Sequence, residues 1–204
     1  MNIRDKFNKA IKKVTNKVYY HGSVADIHGG YLQPKEQFNH KQDGVVIAAF
    51  VTSDERYAKF FPINRCIGNG QCHLRNKKIY LEQLRDDIKS EFYVYTVYET
   101  PDNPFVHDHG TEYYARKPIK IAKRTKYNTA EEIEKLGYEI YVLDEPLKSK
   151  KDRKSGNNFA VQQEMDEAIK QNKFHRVDIA SMLKKRPQNS VGTIFHKLFR
   201  GKGE

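Results

Sequence analysis

The chain has 204 residues, 38% hydrophobic and 12% aromatic, with 13 Tyr and 11 Phe but no Trp; this supports one sizeable core with extensions and excludes wholesale disorder. No run approaches the roughly 20 apolar residues that span a bilayer, and Met1 to Lys17 scatters charges where a signal peptide needs an apolar block, so the expectation is a cytoplasmic protein, or one delivered into a host cell without a classical signal. The net charge of +11 sits on the flanks, with six Lys/Arg against one acid in 1–18, 17 against 19 in 19–145 and 14 against six in 146–204: either a near-neutral core between arms that meet an anionic partner, or solvated lysine faces.

Ile3, Phe7, Ala10, Ile11 and Val14 share one helical stripe, which predicts a basic amphipathic helix over 1–16. Val18-Tyr19-Tyr20 predicts a short strand running into a turn at His21-Gly22-Ser23, with a polar loop around Gly29-Gly30 and Pro34 after it. Gly44 to Thr52 is a continuous apolar run, the pattern of a central strand covered on both faces. Ser53 suits a helix cap and Asp54 and Glu55 its first turn; Tyr57, Phe60 and Phe61 supply its apolar face before Pro62 ends it. Residues 64–90 show little beyond a helical tendency at their centre.

Glu91 to Thr100, dense in aromatic and β-branched residues and closed by Pro101-Asp102-Asn103-Pro104, is the clearest strand. Arg116 to Lys123 predicts a half-exposed strand that Pro118 sends to a sheet edge. Thr129 and Glu132 make a capping box, Gly137 ends that helix, and Tyr138 to Leu143 returns as a strand. A charged linker from Lys148 to Gly156 marks the expected boundary between a domain over 17–146 and a basic extension over 147–204. In that extension Val161, Met165, Ala168 and Ile169 share one helical face, and Ile194, Phe195, Leu198 and Phe199 another.

Three stretches carry chemistry in a fixed order: Tyr20-His21-Gly22-Ser23; Phe50-Val51-Thr52-Ser53 ahead of a helix with Tyr57-Ala58; and Gly110-Thr111-Glu112-Tyr113-Tyr114. A histidine at a strand end is by itself more often structural than catalytic, so the succession is what counts. It resembles the ADP-ribosyltransferase superfamily, in the His-Tyr-Glu branch of diphtheria toxin, poly(ADP-ribose) polymerases and rifampin ADP-ribosyltransferases, over roughly residues 17–145. There one strand carries His-Gly-Ser/Thr, a second Tyr-Phe-Ala/Ser/Thr before an alanine-containing helix, and the acid often reads Glu-Tyr.

The resemblance implies an α+β fold with a split two-sheet core, here with N- and C-terminal helical extensions. It also implies a toxin- or effector-like transferase that moves ADP-ribose from NAD to a protein, nucleic-acid or small-molecule acceptor and releases nicotinamide. On that basis His21 bonds the adenosine ribose, Gly22 offers backbone groups to the nicotinamide amide and Ser23 adds a polar contact. Phe50 and Thr52 line the cofactor site, Phe50 in place of the family's stacking tyrosine, and Tyr57 is the second aromatic wall. Glu112 is the catalytic acid, stabilising the oxocarbenium-like charge that develops as nicotinamide leaves.

Glu99, Asp102 and Asp108 are rivals to Glu112, with solvated loop carboxylates as the plainer reading of the last two. Cys66, Cys72, His73, His107 and His109 do not match usual zinc spacing, so no metal is expected, and two cysteines make no disulfide framework. No Walker A loop, GxGxxG, nucleophile elbow or HExxH is present. Two alternatives remain: a non-catalytic NAD- or ADP-ribose-binding module of the same fold, motivated by Phe50, and a basic nucleic-acid-binding protein working through its tails.

Overall fold

The computed structural model describes residues 17–39, 44–148 and 158–184; the helices expected over 1–16 and around Ile194 to Phe199 lie outside them. The described residues form an α+β protein with two β-sheets and four helices. The strands are β1 (Val18–Ser23), β2 (Tyr31–Leu32), β3 (Lys35–Asn39), β4 (Gly44–Thr52), β5 (Gly68–Arg75), β6 (Lys78–Leu84), β7 (Glu91–Tyr98), β8 (Val106–His107), β9 (Glu112–Ala115), β10 (Ile119–Asn128), β11 (Glu139–Leu143) and β12 (Phe174–Val177). The helices are α1 (Glu55–Ile67), α2 (Thr129–Leu136), α3 (Asn158–Lys170) and α4 (Ile179–Lys184). No helix among the described residues is long and apolar enough to cross a membrane.

Two compact units share this chain. The first takes the described residues up to Lys59 together with Tyr93–Thr125, and the second takes Phe60–Phe92 and the described residues from Lys126 on. The eight-stranded sheet runs β2-β10-β7-β1-β4-β9-β8, with β3 also paired to β4. Its registered strand pairs are antiparallel, and one core of the first unit gathers Tyr19, Leu32, Ala49, Val51, Tyr95, Val97, Phe105, Ala115 and Ile119. Alternation along the strands explains the set, since Tyr19, Val51, Tyr95 and Val97 are odd-numbered positions on neighbouring strands and share one face.

In the second unit the four-stranded sheet runs β12-β11-β6-β5 and is mixed, because β11 lies parallel to β6 and antiparallel to β12. Residues read from sequence as an extension complete it. The face predicted from Val161, Met165 and Ala168 on α3 buries against Leu143, Leu147 and Phe174. Each large apolar side chain withdrawn from water here contributes about 1.5–3 kcal/mol.

Several expectations change. β1 does not turn at His21 but continues through Ser23, because all six of its residues pair with β7. β4 has the predicted limits but is not covered on both faces throughout: its first half forms a hairpin with β3 and leaves Val45 67% and Ile47 61% exposed. Pro62 does not end α1, which continues to Ile67. The cap is Asp54, whose carboxylate accepts from Arg56 N at 2.9 Å, in place of Ser53.

The pattern-poor stretch 64–90 holds the end of α1 and the β5–β6 hairpin. Its two-residue turn places Asn76 (φ 49°) and Lys77 (φ 65°) in the left-handed region, as a type I′ turn requires. β10 is not an edge strand; Pro118 precedes it, and β2 lies outside it. α2 is capped by Asn128, whose side chain accepts from Glu131 N, one residue ahead of the expected Thr129. Gly137 ends α2 as predicted, at φ 67° with its N–H on Glu134 O and Ile133 O.

Truncating Met165 to Ala is expected to lower the unfolding free energy by about 2–5 kcal/mol in urea titration followed by circular dichroism. A loss below about 0.5 kcal/mol, the range of surface substitutions, would show that α3 is not part of this core.

Candidate functional site

The three sequence stretches fall on adjacent strands, in the order β1, β4, β9. All are in the first unit. Tyr20 pairs with Thr52 and Thr52 with Glu112, so the end of β4 has the histidine strand on one side and the glutamate strand on the other.

The two sides are joined very differently. Four registered pairs, Ala49↔Ala115 to Thr52↔Glu112, bind β4 to β9, whereas Tyr20↔Thr52 is the single registered pair between β1 and β4. Beyond it, His21, Gly22 and Ser23 pair only with Tyr95, Val94 and Tyr93 of β7. Across the interrupted ladder the His21 ring reaches β4 itself, with Nδ1 2.8 Å from the Phe50 carbonyl oxygen. A carbonyl only accepts, so Nδ1 carries the proton and Nε2 is left as the acceptor of the neutral ring. Burial holds the His21 pKa below the ordinary histidine value; the Phe50 carbonyl opposes this and the Lys35 charge adds to it.

Strand alternation divides the predicted residues. Phe50, Thr52 and Glu112 stand on one face, where the Phe50 ring lies 5.6 Å from that of Tyr114. His21 lies on the opposite face beside Tyr95, ring centroids 6.3 Å apart, and meets the Phe50 group through the β4 backbone. Tyr95 also fixes the chain after β1: its hydroxyl accepts from Ile27 N at 2.7 Å and donates to Ala25 O at 2.9 Å. Ser23 Oγ accepts from Ala25 N at 3.0 Å, and Tyr57 stands in the first turn of α1.

Thr52 is 3% exposed and joins the corner to the turn before β9. Its hydroxyl donates to Thr111 Oγ1 at 2.9 Å and accepts from Asp54 N at 3.1 Å, while Ser53 N donates to Thr111 O. That turn passes through Gly110 at φ 52° and closes with Glu112 N on His109 O at 2.8 Å and Asp108 N on Glu112 O at 2.9 Å. His109 sits between two carboxylates, Nε2 2.9 Å from Glu112 Oε2 and Nδ1 3.2 Å from Asp108 Oδ2. The Glu112 side chain is 16% exposed and oriented by this contact.

Asp108, expected as a solvated loop carboxylate, is 4% exposed and backs His109. The signal for it was the Gly110 turn, which folds Asp108-His109 back onto Glu112. Of the other rivals, Glu99 accepts from Phe105 N at 3.0 Å and from the Tyr19 hydroxyl at 3.4 Å, and burial and Glu99 together push that tyrosine up to about 12. Asp102 is exposed, its pKa lowered by the Thr100 side chain.

Asp108, His109 and Glu112 also bring three ligand-type atoms within 4.8 Å of one another, a grouping that the cysteine and histidine spacing in the sequence did not point to. Cys66 and Cys72 are free and belong to the second unit. Burial raises both thiols, Cys72 to about 12, and Cys66 Sγ donates to Glu91 O. A cavity of about 630 Å³ in the second unit, between Gly137 and Arg176, holds none of the predicted residues.

No family model, curated protein or solved structure matches the chain.

The His21 geometry has a direct readout. Nitrogen-detected NMR should show the Nδ1-protonated tautomer and a titration midpoint below 6.5. As pH falls below the unfolded value the unfolded chain takes up this proton first, so the folded state loses stability until His21 itself protonates; above it the group contributes no slope. A midpoint at or above 6.5, or the Nε2-protonated tautomer, would refute the assignment.

Proposed function

We propose that the chain is an NAD-dependent ADP-ribosyltransferase of the His-Tyr-Glu type, its first unit forming the split core of that fold, and that it releases nicotinamide while passing ADP-ribose to an acceptor. The observation that carries this reading is the strand order β1-β4-β9, with His21 and Glu112 on the strands flanking Phe50 and β1 parting from β4 after one registered pair. A ladder that stops there leaves strand edge beside His21, Gly22 and Ser23, which suits a ligand with many hydrogen-bonding groups and flat rings.

In this reading the neutral Nε2 of His21 accepts a ribose hydroxyl, and its orientation comes from the Phe50 carbonyl. Gly22 lets the ligand approach the backbone closely. Phe50, backed by Tyr114, and Tyr57 supply aromatic surface for nicotinamide. The Glu112 carboxylate accepts the hydroxyl of the nicotinamide ribose and opposes the positive charge that grows on that sugar as the glycosidic bond breaks. Thr52, with its hydroxyl used twice, positions the Glu112 turn.

One observation favours a second reading. Phe50 lacks the hydroxyl of the family's tyrosine, which fits a domain that holds NAD without turning it over.

Replacing Glu112 with Gln separates the two. If the chain is a transferase, nicotinamide release falls by about 100-fold or more while NAD affinity measured by calorimetry changes by less than about threefold. NAD binding without release by the wild type, acceptors present, would establish the binding module. Absence of both would refute the NAD reading.

A further inference from the structure

From Tyr113 to Asn128 the chain carries six cations, Arg116, Lys117, Lys120, Lys123, Arg124 and Lys126, and no acid. The near-zero charge of residues 19–145 hides this run, because the compensating acids lie elsewhere in the chain. It forms β10 and its approach, and all six side chains are exposed. Three have partners: Arg124 pairs with Asp26 at 2.6 Å, Lys126 with Glu91 at 2.7 Å, and Lys117 Nζ donates to the Asp102 carbonyl at 2.9 Å. Arg116, Lys120 and Lys123 have no ion pair among the described residues.

Three uncompensated cations within eight residues accumulate like charge along β10 and its approach, and such charges repel one another. An anionic polymer relieves that repulsion. Flat rings accompany the charges: Tyr31, 44% exposed, is the registered partner of Lys120, and the Arg124 guanidinium lies 5.8 Å above the ring of Tyr93. Cations that meet phosphates beside an exposed ring, Tyr31, on which an unpaired base can stack suit single-stranded nucleic acid; in a duplex the base faces are already stacked and only the charges would be used.

We propose that β10, with Tyr31 beside it, is a docking surface for single-stranded nucleic acid. These residues lie outside the basic flanks in the sequence, and the proposal does not rest on the NAD reading.

The test uses the full chain and a fluorescein-labelled single-stranded oligonucleotide of about 15 nucleotides, long enough to cover one such site, with anisotropy read across a salt series. The triple variant Arg116→Gln/Lys120→Gln/Lys123→Gln is expected to bind at least about tenfold more weakly, and its slope of log affinity against log salt should fall in magnitude by about 2, or ~0.7 for each lost phosphate contact. Tyr31→Ala should weaken single-strand binding by roughly fivefold or more and leave duplex binding unchanged. Circular dichroism checks the fold, and the charge-preserving Lys120→Arg/Lys123→Arg variant should bind like the wild type. Glu112→Gln should also bind the oligonucleotide normally, whatever it does to NAD.

Affinity and slope unchanged in the triple variant would assign binding to the flanks and overturn the proposal. So would duplex binding as tight as single-strand binding with no effect of Tyr31→Ala, or loss of phosphatidylserine-vesicle binding in the triple variant with oligonucleotide binding intact.

Discussion

One hydrogen bond stands where a backbone ladder would otherwise continue. β1 shares six registered pairs with β7 and one with β4, so its last three residues are held from one side only, and the His21 Nδ1–H on the Phe50 carbonyl is the tie to the other side. The Nδ1–H donor of this tie is present whether or not the ring is protonated; what burial preserves, by favouring the neutral ring, is Nε2 as an acceptor. A side chain in this role leaves the edge of β1 open while holding it in register, which a continuous ladder could not do.

β4 is the element on which the remaining geometry converges. Its C-terminal end pairs with both flanking strands, starts α1 through Asp54, and fixes the turn before β9 through the Thr52 hydroxyl and Ser53 N–H. Glu112 is therefore set by a corner and a tight turn, with Asp108 and His109 as a second support. Chemistry that asks a carboxylate to face a developing cation benefits from such fixed placement. The strand edge beside His21 and the carboxylate of Glu112 are thus coupled through β4, although alternation puts the two side chains on opposite faces.

What was legible in the sequence follows from how local each cause was. The β4 limits, the aromatic β7, the Gly137 end of α2 and the buried face of α3 each rest on a pattern within one segment, and each is present. The β5–β6 hairpin was illegible because its turn uses Asn76-Lys77 and lacks the glycine that normally marks positive φ. Both cap assignments were off by one residue where two capping side chains stand next to each other. The burial of Asp108, read from sequence as a solvated loop carboxylate, was illegible because it depends on how the Gly110 turn folds, and the extent of β1 because β7 supplies its partners from far along the chain. That the three stretches fall on adjacent strands, with His21 tied to the Phe50 carbonyl, rests on pairing between distant segments that no single segment displays.

The register of β1 has a kinetic side. Its partners, from Ser23↔Tyr93 to Val18↔Tyr98, lie 70 to 80 residues away, and the chain between them includes Phe60–Phe92 of the other unit. Closing so long a loop is entropically slow, and contacts of high sequence separation form late in folding. During synthesis the strand bearing His21 leaves the ribosome well before β7 exists to receive it, with both edges unpaired meanwhile. The edges of β1 therefore stay unpaired until β7, which ends at Tyr98 of the 204 residues, has been made, and that interval is when strand-to-strand aggregation threatens the chain most.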